Sequence, residues 1–92
     1  MGNKSVENIQ ENLIVCREHF GLSKNVISNL LHINGNTYGN YENGITSPSV
    51  KNLIVISDFY GMTMDDLVQL QDTKTLIEKI DIEKVEIKLN II

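Results

Sequence analysis

Residues 22–44 read LSKNVISNLLHINGNTYGNYENG. Two short helices with a tight corner follow from that string. Ser23 is suited to accept a hydrogen bond from the free amides of a first helix. Val26, Ile27, Leu30 and Leu31 then recur at helical spacing. His32-Ile33-Asn34 forms the corner. Asn34 caps a second helix that carries Thr37, Tyr38 and Tyr41. Gly44 ends it, since a residue just past a helix commonly needs φ > 0 and glycine adopts that without steric cost.

Two helices joined this way, the second polar on one face, have the shape that enters a DNA major groove. The string also resembles the helix-turn-helix of the lambdoid phage repressor and Cro superfamily, the XRE family. The matching residues are Gly21-Leu22-Ser23, Val26-Ile27-Ser28, Ile33-Asn34, Tyr41-Glu42-Asn43-Gly44, Pro48-Ser49 and Gly61-Met62-Thr63-Met64-Asp65-Asp66-Leu67. The resemblance spans about Ile9 to Leu70. Each short motif is weak alone; their joint order and spacing are specific. It implies an all-α, five-helix repressor-like domain over residues 1–71 and a sequence-specific regulator of transcription.

Outside this string the chain is small and acidic. Its 92 residues make one domain with a modest core, which a partner would stabilise. A single cysteine forms no intrachain disulfide and fits a reducing cytoplasm. No apolar run approaches the ~18–20 residues of a membrane span, and the N-terminal stretch has no signal-peptide core. Net charge is -4. Residues 1–72 hold the whole excess, with Lys4, Arg17, Lys24 and Lys51 against Glu7, Glu11, Glu18, Glu42, Asp58, Asp65, Asp66 and Asp72. DNA binders usually present a basic face. Binding therefore requires the acids to lie away from the groove-facing side, and should be modest and steeply salt-sensitive.

Along helix 1, Val6, Ile9, Leu13, Cys16 and Phe20 form one apolar face, so Cys16 reads as a buried thiol. By the resemblance, Arg17 forms a structural ion pair with Glu42 at the end of the reading helix; the alternative is two solvated charges. Helix 2 runs from about Lys24 to Leu31. Lys24 and Asn25 stand at its first turn, where side chains and free amides meet phosphate. By the resemblance, His32 takes a place that the family usually gives to glycine at φ > 0, a conformation in which histidine is among the enriched exceptions. His19 and His32 lack partners at metal-ligand spacing, so no metal or cofactor is expected.

Helix 3 spans about 35–43. Tyr38 and Tyr41 face inward, and Gly35, Asn36, Thr37, Gly39 and Asn40 face outward. Asparagine bonds adenine N6 and N7 in bidentate fashion, and threonine contacts the thymine methyl. Asn36 and Asn40, assisted by Thr37, therefore read A·T pairs, while Gly35 and Gly39 let the backbone approach the groove. The alternative is a solvated polar face. After the helix, the resemblance implies a loop that offers amides and small side chains to phosphate, a role open here to Asn43, Thr46 and Ser47, with Lys51 adding a charge at the start of helix 4. Helix 4, about Val50 to Tyr60, is apolar nearly all round and should be central. Thr63 with Asp66 opens helix 5, which runs to about Leu70.

The tail, residues 72–92, reads differently. Val-Glu-Ile-Lys-Leu-Asn-Ile at 85–91 alternates with period two, which predicts a β-strand at about 84–91. A lone strand must pair. The expected partner is the same strand of a second copy, with Val85, Ile87, Leu89 and Ile91 as dimerisation residues. A homodimer would present two heads to two half-sites on double-stranded DNA. The alternative is an antitoxin or other interaction module whose tail binds a protein partner. No constellation for catalysis is present, so an enzyme is not expected.

Overall fold

The computed structural model describes residues 4–90, with side-chain surroundings given from Ile9 onward. They form α1 (Lys4–His19), α2 (Lys24–Leu31), α3 (Gly35–Glu42), α4 (Val50–Tyr60), α5 (Met64–Val68), α6 (Thr73–Lys79) and α7 (Ile82–Asn90).

Local chemistry sets most of the boundaries. The Ser23 side chain accepts from the Val26 amide, Ser49 from Asn52, Thr63 from Asp66 and Asp72 from Thr75, one orphan donor relieved at each helix start. His32 closes α2 at φ 57°, ψ 38°, and its amide returns to carbonyls of the last turn. Gly61 closes α4 at φ 66°. A Cβ there would also come within 2.5 Å of Asp81 Cβ, so glycine is required twice over, for conformation and for space.

The core forms where the helices cross. Ile9, Leu13 and Cys16 of α1 meet Ile27 and Leu31 of α2, Tyr38 and Tyr41 of α3, and Ile56, Phe59 and Tyr60 of α4. Leu67, Leu76, Ile80 and Val85 extend the same cluster through the chain's second half. Asn12, buried on α1, donates to the carbonyls of Leu67 (2.7 Å) and Gln69 (2.9 Å), which ties the end of α5 to α1. The Cys16 thiol is free and buried, and burial pushes its pKa up to about 12.

The expected C-terminal strand is absent. Residues 73–90 form two helices, and there is no strand among the described residues. The described residues therefore form seven helices rather than five with a β tail. The alternation at 85–91 coexists with a helical series, Ile82, Val85 and Leu89, at i, i+3 and i+7. Asp81 supplies the cap that selects the helix, its carboxylate accepting from the Lys84 amide at 3.1 Å. The Asp81 amide also donates to the Tyr60 carbonyl at 2.9 Å, fixing the start of α7 against the end of α4.

The strand-pairing roles given to Val85, Ile87, Leu89 and Ile91 fall with the strand. Val85 is buried in its own chain's core and Leu89 packs partly against it, while Ile87 is exposed. Ile91 lies outside the described residues.

Candidate nucleic-acid interface

Helix α3 is held from its inner face by polar bonds as well as packing. Arg17 of α1 meets the Glu42 carboxylate as a fork, Nε to Oε2 at 2.8 Å and Nη2 to Oε1 at 3.0 Å. Glu42 is buried, and the Arg17 side chain nearly so. The third arm of Arg17, Nη1, donates to the Leu22 carbonyl at 2.8 Å, one residue before the α2 cap. Its pKa is raised, first by the hydrogen bond to Glu42. The Tyr38 hydroxyl donates to the same Glu42 Oε2 at 2.5 Å. Burial, and then that bond, hold the Tyr38 hydroxyl protonated well above the ordinary tyrosine range.

The other side of α3 is tied to α4. Asn52 Nδ2 donates to the Tyr41 hydroxyl at 2.8 Å, and the Asn52 amide donates to Ser49 Oγ at 3.1 Å. The expectation that both tyrosines turn inward agrees with their burial. Their hydroxyl partners were not legible in the sequence. Asn52 is one of several polar residues in α4, beside Lys51, Ser57 and Asp58, so nothing in the sequence singles it out.

Helix geometry then fixes what faces out. Each residue turns about 100°, so Asn36 and Asn40 stand diametrically across α3 from buried Tyr38 and Glu42. Asn36 is exposed and Asn40 half-buried, and Thr37 and Gly39 flank them. Gly35 is exposed at the first turn, where Asn34 Oδ1 takes the amides of Asn36 (2.8 Å) and Thr37 (3.3 Å). A Cβ at Gly39 would meet nothing within 4 Å, so its surface is open. Lys24 and Asn25 are exposed at the first turn of α2; Asn43, Thr46 and Ser47 are exposed on the loop, and Lys51 on the first turn of α4.

The segment that carries this region is poor in acid. From residue 19 to 57 the sole acid is Glu42, buried against Arg17, whereas Lys24 and Lys51 are exposed. Elsewhere, tail lysines neutralise domain aspartates: Lys79 Nζ lies 3.1 Å from Asp66 and Lys84 Nζ 3.1 Å from Asp58. Lys88 adds bonds to the Asp58 and Phe59 carbonyls, both at 3.4 Å, and stands over the Phe59 ring. The net charge of -4 therefore describes the whole surface poorly.

Among the described residues no three His, Cys, Asp or Glu side chains converge as a metal site, and no helix is long and apolar enough to cross a membrane.

Comparison with known proteins agrees with this geometry. Residues 13–67 match the helix-turn-helix family HTH_3. Among solved structures, a transcriptional regulator from Listeria innocua superposes with a TM-score of 0.61 at 24% identity, over 90% of this chain and 88% of that one. At that identity the likeness speaks for the fold. No curated protein matches the chain.

Proposed function

This chain belongs to the XRE-type helix-turn-helix family of Cro and the phage repressors, and from that premise we propose a sequence-specific DNA-binding regulator of transcription that acts as a homodimer. The observation that carries this is the outward face of α3. Asn36 and Asn40 stand across the helix from a buried ion pair, within a segment (residues 19–57) that exposes Lys24 and Lys51 and no acid. Asn36 and Asn40 read A·T pairs by bidentate bonds to adenine, with Thr37 against a thymine methyl and Gly35 and Gly39 admitting close approach. Lys24, Asn25, Asn43, Thr46, Ser47 and Lys51 take phosphate and fix the register. Two copies meet two half-sites one helical turn, ~34 Å, apart. Strand pairing between two tails and strand capture by a protein partner both lose their ground with α7; the homodimer rests instead on the two-fold reading of half-sites by helix-turn-helix heads.

Fluorescence anisotropy on a random duplex pool, followed by enrichment of the bound fraction, tests the reading. The enriched duplex should be A·T-rich at the contacted positions, and log K should fall with log salt by ~0.9 per phosphate neutralised. Sedimentation should show two chains per enriched duplex. No binding to any duplex at low salt would end the proposal. One chain per duplex would end its dimeric part.

A further inference from the structure

We propose that the Tyr38 and Tyr41 hydroxyls are positioning residues for DNA binding: Tyr38 sets the rotation of α3 for base readout, and Tyr41 sets the phosphate-facing loop against it. This rests on the DNA-binding reading above. Both rings are buried, and an aliphatic side chain could fill such space; what the hydroxyls add is direction. Tyr38 and Glu42 lie one turn apart on α3, and the Tyr38 hydroxyl shares Glu42 Oε2 with Arg17 Nε. The carboxylate is thereby fixed in the plane that the Arg17 fork requires. Arg17 in turn holds the Leu22 carbonyl beside the α2 cap. One carboxylate thus joins α1, the start of α2 and α3, and Tyr38 decides how it points.

Rotation at this inner face reaches the outer face undiminished. Asn36 precedes Tyr38 by two residues and Asn40 precedes Glu42 by two, about 200° around the helix in each case. Sites of this kind need groups held within about 0.5 Å or 10–20°. Tyr41 acts on the other side. Its hydroxyl holds Asn52, whose amide is capped by Ser49, so the start of α4 and the loop at 43–49 are referenced to α3. The two hydroxyls therefore govern different terms, the first base discrimination and the second phosphate contact.

Tyr38→Phe and Tyr41→Phe separate them. Each is measured by anisotropy at 10 °C on the enriched duplex and on a random duplex, across salt, with helicity checked by circular dichroism. Tyr38→Phe should lower affinity for the enriched duplex about tenfold, with random-duplex affinity and salt slope unchanged. Tyr41→Phe should lower affinity on both duplexes and make the salt slope shallower by about one. Equal losses on both duplexes for Tyr38→Phe, an unchanged slope for Tyr41→Phe, or a variant unfolded at 10 °C would overturn the corresponding role. Failure of the unaltered chain to bind any duplex would instead refute the DNA reading, and this inference with it.

Discussion

Arg17 and Glu42, twenty-five residues apart, meet through two parallel hydrogen bonds of 2.8 and 3.0 Å, with the Glu42 side chain 1% exposed. The pair ties α1 to the end of α3. A surface ion pair contributes little, but a carboxylate this deeply buried cannot be left alone.

Arg17→Met should therefore cost about 3–5 kcal/mol of stability, since the charge it strands has no water to turn to. Urea denaturation followed by circular dichroism measures this. A transition midpoint equal to that of the unaltered chain would show that Glu42 finds other compensation.

Two near neighbours on α7 contrast sharply in burial. A strand would place positions 85 and 87 on one face, whereas α7 sets them about 200° apart. Val85 is 0% exposed and Ile87 is 55% exposed. Val85→Asp buries an unpaired charge and should cost more than about 3 kcal/mol. Ile87→Asp should stay within about 0.5 kcal/mol of the starting stability. Thermal melts of the two variants decide it, and similar losses in both would argue against the helix.

Base contact and phosphate contact should separate by mutation on the binding face. Asn40→Ala or Asn36→Ala should cost about 1–3 kcal/mol on the enriched duplex and relax preference at one base pair. Lys24→Ala should weaken binding on every duplex and reduce the salt slope by about one. Competition titrations with point-altered duplexes distinguish these patterns. Asparagine variants with unchanged preference would remove them from the readout.

Acid should expose the tail's ion pair. Asp58 is held below the usual aspartate value of 3.8, first by the hydrogen bond from the Lys84 ammonium and then by its charge. A folded-state pKa below the unfolded one means the contribution is complete above that value and is lost as pH falls through the folded pKa. Melting temperatures of the chain and of Asp58→Asn should therefore differ at pH 7, and the gap should begin to narrow only as pH falls below 3.8. A gap that stays constant through the acid limb, or that already narrows between pH 7 and pH 5, would assign the difference to something other than this charge.

Much of the candidate interface was legible because its determinants are local. Ser23, Asn34 and Gly44 act within a few residues of themselves, so the two helices and their corner follow from the string. The Arg17–Glu42 pair came by family resemblance, since nothing in the spacing of two residues so far apart predicts a contact. The Tyr38 and Asn52 hydrogen bonds were hidden because a hydroxyl or amide on an inward face has no sequence signature for its partner. The placement of the acids was half legible. The sequence shows them outside residues 19–57 except for Glu42, but their pairing with Lys79 and Lys84 depends on how α6 and α7 fold back.

By itself the sequence determined α1 to α5, through caps, apolar periodicity and glycine stops, each a free energy settled over one or two turns. Tertiary structure decided the tail. The segment Ile82–Asn90 carries a helix's period from Ile82 and a strand's from Val85 onward, so local preference leaves the choice open. It is made by what the segment can bury. As a helix it sets Val85 into the common core and spaces Lys84 and Lys88 one turn apart along Asp58 and Phe59 of α4. A lone strand would have left its backbone unpaired, and that cost appears only when the neighbouring surface is known.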